Sequence, residues 1–176
     1  MGTKFTYALA LTISQAVFNL LLYFTGFQTE KLEVGQHAGW ISLLIMIVVL
    51  WLGIKAVREE SPDKSLSYGQ GLGAGVVISA ISSVMSAVYT FIHFKFVNPN
   101  FYDYQLEMLH GQWAKKGMSD AQMEQADAMA RKFMNPVVSS IFSIVIVLFC
   151  GLIVSLILAA ILKRAKSVDA PPPVAA

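Results

Sequence analysis

The sequence predicts an all-α polytopic membrane protein with four transmembrane helices and an extracytoplasmic amphipathic helical hairpin between the third and the fourth. Three observations carry this prediction. The chain of 176 residues is 56% hydrophobic and only 14% charged, far more apolar than a soluble domain of this size. Four apolar stretches are long enough, at about 1.5 Å per helical residue, to cross a hydrocarbon layer of roughly 30 Å. Between the last two lies the one long hydrophilic stretch, in which Gly117 separates two helical patterns.

The first span is predicted over about residues 5–28, within an uncharged run of 25 residues, 5–29. It is longer than the apolar core of a signal peptide, and no small-x-small cleavage site follows it, so we expect it to be retained. A polar arc on this helix must face protein, because amides are costly against lipid. We call this arc the polar seam; it consists of Thr12, Gln15, Asn19 and Tyr23. Interhelical hydrogen bonding is its favoured interpretation, and contact with a solute is the alternative.

The second span is predicted over about residues 37–57, after a short polar turn, and the third over about 66–97. Residues 66–94 carry no charge over 29 positions, and small residues recur along one helical face. This small-residue stripe includes Gly71, Gly75, Ser79, Ser82 and Ser86. Because lipid tails are as apolar as Leu, membrane helices associate largely through close packing of small residues. We therefore expect the stripe to face other helices and the bulky residues opposite, such as Val77 and Val88, to face lipid.

The hydrophilic stretch is predicted to form a helical hairpin over about residues 99–135. Ser119 and Gln122 have the spacing of a capping box at the start of its second helix. Apolar residues, Met123 and Phe133 among them, share one face of that helix and acidic residues another. This amphipathic face is a possible partner face. Covering the helix bundle and lying in the headgroup layer are the other roles open to it.

The fourth span is predicted over about residues 136–163, and its spacing of Gly151, Ser155 and Ala159 repeats the small-xxx-small pattern. We expect it to be the closest neighbour of the third span. Residues 1–166 then form a single four-span domain, and 167–176 a flexible tail.

The basic residues indicate an orientation. Those near span ends cluster on one side of the four-span arrangement: Lys4, Lys55, Arg58, Lys64, Lys163, Arg164 and Lys166. The other side has Lys31 in its short loop, and five more spread along the hairpin segment. Since the positive-inside rule weighs short loops, both termini are expected in the cytoplasm.

Several polar stretches resemble one bacterial family. They are the SYGQG entry to the third span, the FKF and NP exit from it, the GMS step in the hairpin and the KFMNP approach to the fourth span. The chain is similar over nearly its whole length to a four-span membrane family known only as a domain of unknown function, number forty-one ninety-nine. This resemblance implies a small integral protein of the Gram-negative cytoplasmic (inner) membrane. It carries over no catalytic or binding residue.

No catalytic, cofactor or metal site is predicted. The spans hold no acid or base at mid-depth, and His93 near the end of the third span is interpreted as an interface or packing histidine. Asp103, Glu107 and His110 share the spacing of a helical face, but a solvated face is favoured over a metal site. The net charge of +2, without basic clusters among aromatics, excludes nucleic acid as a partner.

Two functions are consistent with these features. The first is a non-enzymatic accessory or scaffold subunit, acting in the bilayer through contacts of its helices and hairpin with a membrane protein partner or with further copies of itself. The alternative is a small permease or channel-like protein for neutral or weakly polar solutes. A permease requires a polar cavity that reaches mid-membrane near Gln15, Asn19 and Ser86, whereas a scaffold would pair these groups between helices and leave no cavity.

Overall fold

A computed structural model describes residues 2–165 of the chain, and their regular structure is helical. Within these residues, β pairing is limited to one isolated bridge between Leu66 and Arg164. Four helical segments are long and apolar enough to cross a membrane: Thr3–Phe24, Leu32–Glu59, Tyr68–Val97 and Pro136–Leu162. The predicted all-α class with four candidate membrane spans is therefore confirmed. Lys166 and the tail predicted over 167–176 lie outside the described residues.

The helices follow one another with short connections. In chain order they are α1 (Thr3–Phe24), α2 (Leu32–Gly35), a 3₁₀ turn (Gln36–Ala38), α3 (Gly39–Glu59), α4 (Tyr68–Ile92), a π-helical turn (His93–Val97), α5 (Phe101–Lys115), α6 (Asp120–Phe133) and α7 (Pro136–Leu162). Capping boxes start α4, from Ser67, and α6, from Ser119. Asn135 caps α7, because its Oδ1 accepts the N–H of Val138 at 3.0 Å.

The second span extends further than its apolar run. The sequence predicts a polar turn up to residue 37, but α2 and the 3₁₀ turn continue into α3, so the helical segment begins at Leu32. The physical reason is an apolar anchor, since Leu32 is buried and α2 packs against α5. Gly26, with a φ of +82°, lets the chain reverse directly after α1.

The third and fourth spans form the closest contact of the bundle, between α4 and α7. Small residues of the antiparallel helices lie opposite one another here: Gly71 faces Ala159, Gly75 faces Ser155, and Ser79 faces Gly151. We call these three pairs the α4–α7 seam. The Ser79 and Ser155 hydroxyls are buried, with no hydrogen-bond partner in the described part of the chain. Close approach of the two backbones therefore holds this seam together, rather than hydrogen bonds between its serines.

The bulky face of α4 points outward, with Val77, Val84 and Val88 exposed on the isolated chain. α4 also contacts α1 and α3, so it lies at the centre of the arrangement. An apolar surface of this kind is the normal neighbour of lipid in a spanning helix. The helix therefore separates a small, protein-facing side from a large, outward-facing one.

The bundle is closed at one end, which we call the basal end; here α1 and α4 begin, and α3 and α7 end. The Thr3 hydroxyl donates to the Glu60 carboxylate, and the backbones of Leu66 and Arg164 exchange two hydrogen bonds of 2.9 Å. The core between the spans includes Ala8, Leu11, Leu50, Ile54, Ile78, Val154 and Leu158. All the buried residues of α7 lie from Gly151 onward. Its first half is therefore less closely packed, toward the opposite end, which we call the hairpin end.

The hairpin of α5 and α6 is held to the bundle through α5. Leu106 is buried, and the Tyr102 hydroxyl donates to Ser139 Oγ of α7 at 2.8 Å. Burial raises the pKa of the Tyr102 hydroxyl, and its hydrogen bond with Ser139 opposes that shift. α5 is thus positioned by contacts at the hairpin end of the bundle.

α6 is held to α5 by a polar contact rather than by an apolar core. His110 Nε2 lies 2.8 Å from Asp127 Oδ1, and Arg131 Nε donates to Asp127 Oδ2 at 2.7 Å. The hydrogen bond from Arg131, and after it that of His110, lowers the pKa of the Asp127 carboxyl. On the predicted partner face, Met123 is half-buried and Phe133 is 58% exposed. That face of α6 is largely uncovered by the rest of the chain.

Gly75→Ala should lower the thermal stability of the protein purified in detergent. A Cβ on Gly75 would lie 2.7 Å from Ser155 Cβ, so the α4–α7 seam would have to open, at a cost of about 1–3 kcal/mol. Gly73→Ala is the matched control, because a Cβ there meets no atom within 4 Å. This control should unfold at or above the wild-type temperature, since Ala favours helix over Gly. Equal melting temperatures for the two variants would contradict the seam.

Candidate functional site

A partly open cavity of about 340 Å³ lies between the four spans, from the middle of the bundle toward the hairpin end. Each span contributes to its wall. The polar lining residues are Thr12, Gln15 and Asn19 of α1, Ser42 of α3, Ser82, Ser86, Tyr89 and Thr90 of α4, and Ser143 of α7. The apolar ones include Leu11, Leu43, Met46, Ile146, Val147 and Cys150. The wall is therefore mixed, with hydroxyls and carboxamides set among aliphatic side chains.

The cavity follows from the looser packing of α7 beside α4. At the basal end, each small residue of α4 in the α4–α7 seam has a residue of α7 against it. Ser82 and Ser86 continue the same stripe, but α7 has no buried residue before Gly151. Small side chains without a closely packed helix opposite leave space, so one stripe forms a tight contact at one end and a cavity wall at the other.

Part of the polar lining is paired between helices. Thr12 Oγ1 and Ser82 Oγ lie 3.0 Å apart, which joins α1 to α4. Gln15 Nε2 donates to the Ser42 carbonyl at 2.7 Å, which joins α1 to α3. Asn19 Nδ2 donates to the Gln15 carbonyl one turn earlier, at 3.2 Å. The polar seam thus holds α1 against two neighbouring spans.

Other polar groups of the lining are left over. Gln15 Oε1 and the hydroxyls of Ser42, Ser86 and Thr90 line the cavity without a hydrogen-bond partner among the described residues. They comprise an amide acceptor and three hydroxyls that both donate and accept. Polar groups at this depth are costly unless they are hydrogen-bonded. The cavity therefore suits an occupant that carries both donors and acceptors.

Within residues 2–165, the lining holds no Asp, Glu, Lys, Arg or His. An ion or a charged solute would have no counter-charge in the wall, and its desolvation would be uncompensated. The volume accommodates roughly ten water-sized groups. In size and chemistry the cavity fits a small uncharged molecule with hydrogen-bonding groups.

A buried polar network lies behind the cavity wall at the hairpin end. His93, only 1% exposed, places Nε2 2.8 Å from Gln28 Oε1. Gln28 Nε2 donates to Asn19 Oδ1 at 2.8 Å, and Asn98 Nδ2 donates to the Gln28 carbonyl at 3.2 Å. On the other side of the ring, the Tyr89 hydroxyl lies 3.2 Å from His93 Nδ1. Asn19 and Tyr89 belong to both the network and the cavity wall.

The structure divides the residues singled out in the sequence among four places. Thr12, Gln15, Asn19, Ser82 and Ser86 line the cavity. Gly71, Gly75, Ser79, Gly151, Ser155 and Ala159 form the α4–α7 seam. Tyr23, the remaining residue of the polar seam on α1, packs edge-on against His93 with 6.1 Å between ring centroids. The possible partner face with Met123 and Phe133 belongs to the hairpin, apart from both.

Sequence reasoning missed part of the site. Gln28 is the last residue of the first predicted span, where the sequence gives it no role, yet in the structure it is buried and joins α1 to the end of α4. Ser42, Ser143 and Cys150 come from runs so apolar that periodicity does not distinguish their faces. His93 was assigned to interface or packing, and its near-complete burial with three polar neighbours goes beyond that interpretation. The sequence offers one signal for Gln28: a carboxamide at the end of an apolar span needs a hydrogen-bond partner if it is buried.

Comparisons with known proteins give one match. The family model described as a protein of unknown function (DUF4199) matches residues 6–164. No curated protein and no solved structure matches the chain. The match runs from the start of α1 to the end of α7, so it includes every residue of the cavity and of the network.

Cys150 allows a direct test of the cavity, because it is the single cysteine of the chain and lies in the wall. N-ethylmaleimide, which is small and uncharged, should alkylate it in the folded protein. Ser86→Trp places an indole in the cavity and should slow alkylation by about tenfold, since close-packed interiors exclude the reagent.

The matched control is Val88→Trp, which adds the same side chain to the outward face of the same helix, where Val88 is 58% exposed. Alkylation is followed by intact mass, with unfolded protein as the reference for full reactivity. If both tryptophan variants react like the wild type, the cavity is not the route to Cys150.

Proposed function

We propose that this chain, which belongs to the DUF4199 family of proteins of unknown function, is a small permease or channel-like protein for uncharged polar solutes. One observation carries the proposal: the cavity between the four spans, with hydrogen-bonding groups left over in a wall without charges. A scaffold that merely paired its intramembrane polar groups would gain nothing from a space of about 340 Å³ at this position. Proteins more often fill such a space, because voids cost stability.

The proposed solute is small, uncharged and able to both donate and accept hydrogen bonds. Gln15 Oε1 would accept from it, and the hydroxyls of Ser86 and Thr90 would adapt to either role. The aliphatic part of the wall would contact its carbon skeleton. Sites that combine a few polar groups with an apolar lining are typical of small-molecule binding.

We propose that the protein is not an enzyme. Among the described residues, the serine and threonine hydroxyls and the thiol of the lining have no carboxylate, imidazole or amine beside them to act as a general base. The solute would therefore be bound and released unchanged.

We further propose that the protein lies in the bacterial inner membrane with both termini in the cytoplasm. The basal end carries most of the basic residues near span ends, from Lys4 to Arg164. In this orientation the hairpin is extracytoplasmic and the cavity lies in the half of the membrane away from the cytoplasm. The α4–α7 seam would close the cytoplasmic half, so passage requires the bundle to open there in turn.

Proteoliposomes should show the activity directly. Vesicles that contain the wild-type protein should swell faster in isotonic glycerol than protein-free vesicles, measured by light scattering. Ser86→Trp should remove about nine-tenths of the increase by filling the cavity, while Val88→Trp should keep it. Choline chloride should give no increase with any variant, because the cavity wall has no counter-charge. If wild-type and protein-free vesicles swell alike in glycerol, urea and acetamide, the permease proposal fails.

A second candidate is an accessory subunit that binds a membrane protein, or another copy of this chain, through the hairpin. The supporting observation is the uncovered face of α6, where Met129 and Phe133 are 62% and 58% exposed. The small residues of the third and fourth spans face the α4–α7 seam or the cavity within the chain, so this candidate relies on the hairpin.

The accessory function predicts that Phe133→Asp weakens association. The reason is that a carboxylate on the apolar face of α6 would be desolvated at any interface there. The measurement is the mass of the detergent-solubilised complex by light scattering, for wild type and variant. Asp120→Asn, which alters a charge at the start of the same helix, is the control. An unchanged mass for Phe133→Asp would remove this candidate.

A further inference from the structure

The hydrogen bonds around His93 fix where its protons lie. The backbone carbonyl of Gln15 can only accept, so the amide group of Asn19 that faces it at 3.2 Å must be Nδ2. Asn19 Oδ1 therefore accepts from Gln28 Nε2, and Gln28 Oε1 is turned toward the ring. His93 Nε2, 2.8 Å from Gln28 Oε1, must then carry a hydrogen.

The other ring nitrogen has a partner that suits either charge state. The Tyr89 hydroxyl lies 3.2 Å from His93 Nδ1 and 3.0 Å from the Ala16 carbonyl, which can only accept. With neutral His93, Nδ1 is bare, and the single phenolic hydrogen can be donated to the Ala16 carbonyl or to Nδ1. With protonated His93, the Nδ1 hydrogen points at the Tyr89 oxygen, and the phenolic hydrogen is donated to Ala16. Taking up a proton thus needs at most one hydroxyl rotation and no movement of heavy atoms.

We propose that His93 is a proton-binding site whose charge state is coupled to occupancy of the cavity. The coupling elements are Asn19 and Tyr89, which hold the ring and also line the cavity. When His93 is neutral, the Tyr89 oxygen accepts no hydrogen bond from the ring. When His93 is charged, the Tyr89 oxygen accepts one from Nδ1. A solute that donates to Tyr89 would therefore bind the neutral form better, and protonation would in turn oppose its binding.

The surroundings of the ring are compatible with both charge states of His93. Among the described residues, the titratable groups that contact the ring are Tyr89 on its own helix and Tyr23 of α1. The segments beside it also carry Glu30 and Lys31 after α1, Lys95 of the π-helical turn and Tyr102 of α5. Tyr23 touches the ring edge-on, Tyr102 contacts Phe94 beside it, and the two ammonium groups lie over phenyl rings. No carboxylate among residues 2–165 is hydrogen-bonded to the ring.

Two features favour the charged form in place of a counter-ion. His93 begins the π-helical turn that ends the third span, so it lies near the carbonyl end of the helix dipole, which attracts a cation. Both N–H groups of the imidazolium also have neutral acceptors in line, Gln28 Oε1 and the Tyr89 oxygen. Burial of the ring opposes the charge.

Histidine nitrogen NMR in detergent tests the proton site without any transport assay. In ¹⁵N-histidine protein near neutral pH, His93 should show a hydrogen on Nε2 and a bare Nδ1; His93→Gln assigns the signal. Acidification should add the second hydrogen. Tyr89→Phe should weaken proton affinity by about tenfold, because the imidazolium loses one hydrogen bond to a charged group. Tyr23→Phe, which keeps the ring contact, should leave the titration unchanged.

The outcomes separate this inference from the proposed permease function. The coupling rests on that function, whereas the proton site does not. A hydrogen on Nδ1 instead of Nε2, or equal titrations for wild type and Tyr89→Phe, would overturn the proton site. If glycerol swelling changes with pH in the wild type but not in Tyr89→Phe, the coupling is supported. Swelling that is independent of pH while His93 titrates would refute the coupling and leave the permease intact. Absence of swelling together with the expected titration would refute the permease and leave the proton site.

Discussion

The close approach of α4 and α7 is the constraint on which the rest of the structure depends. In a bilayer, two helices gain little by hiding aliphatic side chains from lipid, so they must gain from direct contact. Gly75 and Gly151 provide this contact by letting a serine of the opposite helix sit against the backbone. The contact clamps the basal end, and the looser packing of the first half of α7 follows from where its small residues stop. The cavity thus lies where α4 continues beyond the α4–α7 seam and α7 no longer packs closely against it.

The polar groups of the bundle are distributed according to how tightly the helices pack. At the basal end two serines are buried without hydrogen-bond partners in the described chain, because their small size there outweighs their hydroxyls. Toward the hairpin end, α1 is joined to α3 and α4 through Gln15 and Thr12. These hydrogen bonds hold the spans together across a space that side-chain packing does not fill. The polar seam therefore acts as the frame of the cavity.

The sequence predicts faces better than distances. Helical periodicity identified the small side of the third span and the polar side of the first, since side chains at steps of three and four must share a face. It could not predict that the stripe would meet α7 at Gly75 and a cavity at Ser86, because spacing within one helix carries no information on where a neighbour diverges. Gln28 and His93 are 65 positions apart, so only the fold reveals them as partners. Ser42 and Cys150 lie in helices that are apolar on every face, so periodicity does not predict which face points to the cavity.

The chemistry of the hairpin end depends on the buried imidazole of His93. A carboxylate or ammonium here would carry its charge at ordinary pH and would need a counter-charge to be buried. An imidazole can be buried neutral, and this one has hydrogen-bond partners for both of its forms. Gln28 joins it to the cavity wall through Asn19, and Asn98 joins Gln28 to the turn that leads into the hairpin. Since the seam clamps the basal end, the cavity, the network and the hairpin all lie toward the end where the spans pack less closely.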